Sequence, residues 1–424
     1  MDFATTCLHG GYEPQNGEPS ALPIYQSTTF KYDSTAEVAK LFDLQAEGFF
    51  YSRLANPTVD AVEQKLAALE GGVGAICTSS GQAACFIALL NLCKSGDHIV
   101  ACSNLYGGSI NLLGVTFKRF GIEVTFVDQH KSNEELAQYF QPNTKALYAE
   151  TIANPSTDVL DIARMAELAH AHGVPLVIDN TLATPYLCRP IEHGADIVVH
   201  STSKYLDGHA LALGGAIVDS GNFDWAAHAD KFADFVEPDE SYHGCVYTQA
   251  FGKAAYIVKA RAQLIRDLGC LQSPQNALYL NLGIETLPLR MERYHQNALQ
   301  VAKFLQNHPQ VLSVNYPNLE SSPSYKLAQK YLREGKSSGV LSFVLKGGFS
   351  AGAKFIDALK LVRLEVHVAD IRSCVLHPAS TSHRQLTPEQ LKNAGVDEGL
   401  VRLSVGLENI EDIIADLEQA LAQL

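Results

Sequence analysis

DIVVHSTSKY, residues 196–205, is the stretch from which the fold can be inferred. Residues 197–199 are a short apolar run bounded by turn residues, which is typical of a parallel strand buried on both faces. Lys204 follows where this strand ends, although lysine is rarely buried without a partner. Burial lowers the pKa of a lysine and frees its amine to attack a carbonyl. This stretch alone leaves open an ordinary ammonium in water.

A second apolar strand, VPLVIDNT at residues 174–181, carries Asp179 near its end. Pyridoxal phosphate requires a lysine for its aldehyde, an acid facing its pyridine nitrogen and donors for its phosphate. Lys204, Asp179 and the alternating hydroxyls of Ser201 and Ser203 supply that set. An aspartate at a strand end is more often a cap or turn residue, so the combination, and not Asp179 alone, indicates this cofactor.

The motifs VIDNT (177–181) and HSTSKY (200–205) resemble those of the pyridoxal-phosphate enzymes of cysteine and methionine metabolism. The family includes cystathionine synthases and lyases, methionine gamma-lyase and the O-acetylhomoserine sulfhydrylases. The similarity extends from PIYQSTTF (23–30) to RLSVGLE (402–408). SYHG (241–244) resembles the sulfhydrylase branch in particular.

Tyr51 and Arg53 lie in the segment FYSRLANPT (50–58) and flank a single residue. In an extended segment they therefore face the same side, where a phenol and a guanidinium suit a phosphate. The resemblance implies that both reach across a dimer to the cofactor phosphate of the other subunit, and that Tyr51 also contacts substrate. A surface arginine beside a packing tyrosine is the alternative.

The segment SSGQ (79–82) follows a predicted strand and begins a predicted helix. Exposed amides at a helix start form an anion site, although many α/β turns look like this one. The resemblance implies that Ser80, Gly81 and Gln82 bind the cofactor phosphate. Gly81 allows a close backbone approach. The family usually has methionine in place of Gln82, but the implied contact is through the backbone.

The resemblance assigns three further cofactor contacts. Tyr106, at the carboxyl end of a strand where ligands bind in open α/β sheets, is implied to stack on the ring and to help expel the gamma substituent. Asn154, in NPS (154–156), is implied to lie beside the ring hydroxyl. Thr181, next to the Asp179 strand, belongs to the same predicted set.

Two segments near the end of the chain are predicted to bind the substrate. Arg402, in VRLSVG (401–406), can clamp an α-carboxylate through two hydrogen bonds, whereas a surface ion pair is the alternative. His367 occupies the place where the family usually has serine or asparagine beside that carboxylate. His377 and His383 lack the spacing of a metal site and are predicted to have structural roles, so no metal is expected.

Alternating strands and helices predict an α/β protein with a mostly parallel sheet, and the resemblance implies the fold-type I transferase fold of pyridoxal-phosphate enzymes. Residues 1–60, rich in breakers such as Pro14 and Pro23, are predicted to be an irregular arm that contacts a partner subunit. Residues 61–280 are predicted to form the large cofactor-binding domain, and residues 281–424 a smaller α+β domain.

The composition is that of an ordinary globular protein. The 424 residues are 46% hydrophobic and 18% charged, and the net charge of −14 argues against nucleic acid or an anionic membrane as a partner. No apolar run could span a bilayer, and the N-terminus lacks a signal peptide. The nine cysteines have no CxxC spacing, which favours reduced thiols in a cytoplasmic protein.

The resemblance implies gamma-replacement on O-acetylhomoserine with sulfide or a thiol, giving homocysteine or methionine plus acetate. It also implies a homotetramer of two tight dimers with shared active sites. Methionine gamma-lyase is one alternative, although such lyases usually have cysteine in place of Gly108. A cystathionine-type synthase or lyase is another, and a catalytically silent protein of the same fold is a third.

Overall fold

The computed structural model describes residues 1–381, 384 and 397–424, and its strands form two separate sheets. The strands, β1 to β12 in chain order, are Gly74–Thr78, His98–Cys102, Glu123–Val127, Thr144–Glu150, Leu176–Asp179, Ile197–His200, Gly215–Asp219, Val311–Asn315, Val340–Leu345, Arg363–Leu364, Cys374–Leu376 and Leu400–Ser404.

The larger sheet has seven strands in the order β1-β7-β6-β5-β4-β2-β3. β2 through β6 pair in parallel, whereas β7 is antiparallel to both β1 and β6. The central strands β2, β4 and β6 are buried along their whole length, as near-continuous apolar runs predict. The predicted α/β class with a mostly parallel sheet is confirmed. The carboxyl ends of β4, β5 and β6 lie side by side at one edge.

Helices flank both sheets, and several begin where the sequence supplies a cap. The α-helices, α1 to α17 in chain order, are Phe3–His9, Thr35–Phe42, Pro57–Glu70, Gly81–Leu90, Gly107–Asn111, Asn133–Ala137, Ile162–Ala171, Thr184–Leu187, Ala233–Val236, Tyr247–Phe251, Ala255–Lys259, Arg266–Leu268, Pro274–Glu285, Leu287–Gln306, Tyr325–Tyr331, Gly348–Ala358 and Ile410–Leu421. α3 starts with a proline after the cap Asn56 and ends at Gly71, whose φ is 81°. Within the described ranges, no helix is long and apolar enough to cross a membrane.

The smaller sheet has five strands in the order β10-β11-β12-β9-β8. β12 lies between β11 and β9 and is antiparallel to both, whereas the short pair of β10 and β11 is parallel. The two-residue strand β10 and the three-residue strand β11 were not predicted, because such short segments carry no readable alternation. This arrangement holds Arg402 at the centre of β12.

Each sheet has its own apolar core, and helix α14 contributes to both. Met291 and Tyr294, in the first half of α14, pack into the large core, and Val301 and Leu305, in the second half, pack into the small core. Because one helix belongs to both cores, the large domain passes gradually into the small domain along α14. The boundary near residue 280 therefore stays a prediction.

The first 60 residues contain more regular structure than predicted. α1 is capped by Asp2, whose carboxylate accepts a hydrogen bond from the amide of Ala4 at 3.3 Å, and α2 is capped by Ser34. Phe3 and Cys7 are buried in the large core. The expectation of an irregular arm was wrong for these two segments, because local capping and an amphipathic face outweighed the nearby breakers.

Candidate active site

A cavity of about 420 Å³ opens at the carboxyl edge of the large sheet, beside the smaller sheet. Its volume is within the range of small-molecule and cofactor sites. All the predicted site residues line this cavity except Tyr51 and Arg53. They are Ser80, Gly81, Gln82, Tyr106, Asn154, Asp179, Thr181, Ser201, Ser203, Lys204, His367 and Arg402. The structure thus gathers residues that are far apart in sequence.

Lys204 lies four residues beyond the end of β6, and its amine is in the cavity lining. Burial, reinforced by the charge of Arg402, lowers the pKa of Lys204 to about 8. At pH 7 about one tenth of such amines are uncharged, compared with fewer than one in about a thousand for an ordinary lysine. An amine with a pKa lowered in this way is suited to attack an aldehyde.

Two carboxyl groups lie next to each other in the lining of the cavity that contains Lys204. Asp179 ends β5, and it is in register with Glu150 at the end of β4. Burial raises the pKa of Asp179, whose Oδ1 accepts the Thr181 amide at 2.9 Å. Burial and the charge of Asp179 raise the pKa of Glu150 well above its usual range. Because the two carboxyls repel each other when both are charged, they favour a state with a single negative charge.

Ser80, Gly81 and Ser201 form one end of the cavity. Ser80 caps α4 by accepting the Ala83 amide at 3.1 Å. A Cβ on Gly81 would lie 2.5 Å from the Ser201 Cβ, so the neighbouring loop itself requires glycine at this position. Thr181 fixes that loop, since its hydroxyl accepts the Ser201 amide at 2.8 Å.

Ser203 lines the cavity, but its hydroxyl is engaged elsewhere. It donates to the Gly214 carbonyl at 3.1 Å and accepts the Gly214 amide at 2.9 Å. The hydroxyls of Ser201 and Ser203, which were both predicted to bind the phosphate, therefore differ, because that of Ser203 already has two backbone partners. The Ser203 hydroxyl binds the loop before β7, because the chain turns sharply after β6.

Tyr106 immediately precedes α5 and is half-exposed at the cavity mouth. Its position depends on Gly108, because a Cβ there would lie 2.4 Å from the Tyr106 Cε1 and 2.7 Å from the Gln82 Nε2. The Tyr106 ring and the Gln82 side-chain amide therefore occupy space that is free because residue 108 has no side chain.

Arg402 enters the cavity from β12 and is only 8% exposed. It donates to the Asn154 Oδ1 at 3.4 Å and to the His367 carbonyl at 3.1 Å. Among the residues that the structure describes, no carboxylate pairs with this guanidinium, and its Nε has no partner. A buried cation without a counter-ion is suited to bind an anionic ligand.

Tyr51 and Arg53 lie apart from this cavity. The Arg53 guanidinium stacks over the Tyr51 ring at 5.3 Å, and both residues line a second cavity of about 880 Å³ with α2 and residues 241–243. Within one chain the structure does not bring these two residues to Lys204. That placement is compatible with the predicted contact between subunits.

Sequence reasoning missed Glu150, which holds two loops of the site. Its Oε1 accepts the Tyr106 amide at 2.7 Å, and its Oε2 accepts the Asn154 amide at 3.3 Å. A carboxylate at the end of a buried strand, four residues before the NPS motif, was the available signal.

A second missed group lies beneath the site. Glu70, at the end of α3, is fully buried and binds the His200 Nε2 at 2.6 Å and the Asn180 amide side chain at 2.9 Å. This network ties α3 to the segments that carry Asp179 and Lys204.

His377, for which a structural role was predicted, is bound by neighbouring polar groups. The two ring nitrogens of His377 bind the Ser380 hydroxyl at 3.0 Å and the Glu398 carbonyl at 2.7 Å, which agrees with a structural role. His383 lies outside the described residues.

Comparison with known proteins identifies the family. Residues 4–422 match the family model for Cys/Met metabolism PLP-dependent enzymes. The chain belongs to this family. An O-acetyl-L-homoserine sulfhydrylase of Leptospira meyeri is 50% identical over 430 residues, covering 99% of this chain and 96% of that protein. A homocysteine synthase of Schizosaccharomyces pombe is 49% identical over 421 residues, covering 99% and 98%.

A solved structure of the same Cys/Met metabolism family is also similar. The crystal structure of a putative O-acetylhomoserine (thiol)-lyase from Campylobacter jejuni superposes with a TM-score of 0.96 at 40% identity, and the match covers 100% of each chain. That protein carries N'-pyridoxyl-lysine-5'-monophosphate at its position 205. Fold-type I pyridoxal-phosphate architecture is thereby confirmed for this chain.

The residues of the cavity fit this cofactor of the Cys/Met metabolism enzymes. An amine with a depressed pKa, a carboxylate in the cavity lining and a helix start capped by a serine are the three kinds of group that pyridoxal phosphate requires. The chain is a pyridoxal-phosphate-dependent enzyme.

Proposed function

We propose that this enzyme catalyses gamma-replacement on O-acetylhomoserine with sulfide or a thiol, giving homocysteine or methionine plus acetate. The observation that carries the proposal is the buried Arg402, which lies in the same cavity as Lys204 and has no carboxylate partner in the part of the chain that the structure describes. This pairing suits an amino-acid substrate, whose carboxylate binds the guanidinium while its carbon atoms lie near the amine. Relatives at 44–50% identity named sulfhydrylase or homocysteine synthase support the choice of reaction.

Most of the predicted site residues in the cavity then have a role. Lys204 would hold pyridoxal phosphate through its amine, Asp179 would face the pyridine nitrogen, and Ser80, Gly81, Gln82 and Ser201 would bind the phosphate. Tyr106 and Asn154 would contact the ring. The bound cofactor supplies an electron sink for charge that develops on the substrate carbons.

The protein itself supplies binding, orientation and proton transfer. Arg402 binds the substrate carboxylate. The Lys204 Nζ would take up and return the protons of the substrate α and β carbons, and its depressed pKa keeps an uncharged fraction ready at neutral pH. The surroundings of Gly108 hold Tyr106 at the mouth, where its ring helps the acetate leave.

Assembly belongs to the same proposal. Tyr51 and Arg53 would complete the active site of a second subunit in a homo-oligomer, and Tyr51 would also contact that site's substrate. Their distance from the cavity of their own chain, shown by their place in a separate cavity, supports this arrangement. We propose a dimer of dimers in the cytoplasm.

A product assay tests the reaction. The enzyme is offered O-acetylhomoserine, O-succinylhomoserine, cystathionine and methionine, each with and without sulfide, and homocysteine and 2-oxobutyrate are measured. We expect sulfide-dependent homocysteine from O-acetylhomoserine, and no turnover by Lys204→Ala. Release of 2-oxobutyrate from methionine as the main product would instead identify a gamma-lyase.

A further inference from the structure

His367 and Lys204 form a contact that joins the two sheets across the cavity. The His367 Nδ1 lies 3.0 Å from the Lys204 Nζ, although 163 residues separate them in the chain. His367 lies between β10 and β11, and its carbonyl oxygen accepts hydrogen bonds from Arg402 at 3.1 Å and from the Cys374 thiol at 3.3 Å. The imidazole is therefore held from its own backbone and aimed at the lysine.

The imidazole is uncharged at neutral pH. Burial, reinforced by the charge of Lys204, lowers the pKa of His367 to about 4. Arg402 acts in the same direction, whereas Asp370 and Asp207 oppose it, and the Cys374 thiol is itself kept protonated by burial. A neutral ring that accepts at Nδ1 carries its hydrogen on Nε2, and this buried atom has no partner among the described residues.

We propose that His367 is a positioning residue for the Lys204 amine, and that its Nδ1 accepts a hydrogen bond from the lysine whenever the amine is in its charged form. This inference rests on the proposed proton transfer by Lys204. It differs from the predicted role of His367, which was to contact the substrate carboxylate.

Two consequences follow for the chemistry. The lysine amine loses freedom of rotation and points into the cavity, which favours proton transfer at a fixed distance. The proton also stays on the lysine, because the Lys204 amine is the stronger base of the pair by about four pKa units. His367 thus accepts a hydrogen bond without removing the proton that Lys204 must return.

Three substitutions distinguish loss of the hydrogen-bond acceptor from loss of side-chain volume. His367→Asn can place an amide oxygen where Nδ1 lies, whereas His367→Leu fills similar space without an acceptor, and His367→Met is a second apolar variant should the first fail to fold. The readout is the rate at which the full-length chain, stripped of cofactor, captures added pyridoxal phosphate as a function of pH. Borohydride trapping and peptide mass spectrometry assign the product to Lys204.

Loss of the acceptor removes a contact that favours the charged amine. In the apolar variants we expect the midpoint of the capture profile to shift about 0.5–1 pH unit lower, and the Asn variant to keep the wild-type midpoint. In the loaded enzyme the apolar variants should lose kcat with little change in KM. Identical midpoints in all variants, or a rise in KM alone, would overturn the proposal. Because cofactor capture needs no acylated substrate, this outcome is independent of whether O-acetylhomoserine is the substrate.

Discussion

At the scale of single residues, Arg402 shows how burial gives a common side chain a specific task. The guanidinium is held by one amide oxygen and one carbonyl, and the described residues supply no counter-charge. The free energy cost of burying this cation is offset only when an anionic ligand binds. A substrate carboxylate meets that requirement with two parallel hydrogen bonds.

Arg402→Ala should therefore impair binding of every amino-acid substrate. We expect kcat/KM to fall about 10–150-fold, corresponding to about 1.5–3 kcal/mol for hydrogen bonds to a charged group. Steady-state kinetics with O-acetylhomoserine measure the change. Arg363→Ala is the matched control, since Arg363 lies in the same sheet with a mostly exposed side chain and should leave the kinetics unchanged.

Gly108→Ala tests the setting of Tyr106. The new methyl group would overlap the Tyr106 ring and the Gln82 amide, so the ring must move from its place at the cavity mouth. We expect an altered absorbance and circular dichroism of the bound cofactor and a loss of kcat equivalent to about 1–3 kcal/mol. Gly107→Ala is the control, because nothing lies within 4 Å of its added Cβ. Equal spectra for both variants would show that Tyr106 does not depend on Gly108.

At the scale of elements, the site depends on polar groups that connect strands to helices from below. Glu70 ends α3, yet it binds His200 on β6 and Asn180 just after β5. These two partners directly adjoin Ser201 and Asp179, so the network aligns two strand ends at once. Apolar packing alone would not fix the relative register of these strands, because the hydrophobic effect is non-directional.

Removing one member of this network should destabilise the fold. Glu70→Leu leaves the buried His200 Nε2 without its partner and removes one of the two acceptors of the Asn180 side-chain amide, and we expect the free energy of unfolding to fall by about 1–3 kcal/mol. Urea denaturation followed by circular dichroism measures the loss. Glu37→Leu, at an exposed position in the first turn of α2, should change stability by less than about 0.5 kcal/mol. Similar midpoints for the two variants would argue against a stabilising network.

At the scale of the whole molecule, the separation of Arg53 from Lys204 concerns assembly. A dimer with shared sites makes two defective subunits complementary. Mixing Arg53→Ala and Lys204→Ala subunits creates hybrids in which one site has both residues intact and the other has neither. Random pairing should restore about one quarter of the wild-type activity. Subunits are mixed after reversible dissociation, and native mass spectrometry confirms that hybrids form. Hybrids without activity would exclude a shared site.

The parts of the protein that are encoded within a few consecutive residues could be predicted from the amino-acid sequence. The strands ending at Asp179 and before Lys204, the turn from Ser80 to Gln82 and the strand carrying Arg402 were all predicted, and the structure places them around one cavity. Apolar runs, turn residues and helix starts depend on local chain geometry, so they can be read from the sequence alone. The parallel strands then bring their carboxyl ends together.

Contacts between side chains of distant segments could not be predicted from the sequence and became known from the three-dimensional structure. The contact of His367 with Lys204, the clamp of Glu150 on two loops and the network around Glu70 join residues from different elements. Ser203, which in sequence was equivalent to Ser201, turned to Gly214 instead. Such contacts depend on the packing of helices and sheets to within a few tenths of an ångström. Hydrogen bonding and desolvation select them only after the fold has brought the segments together.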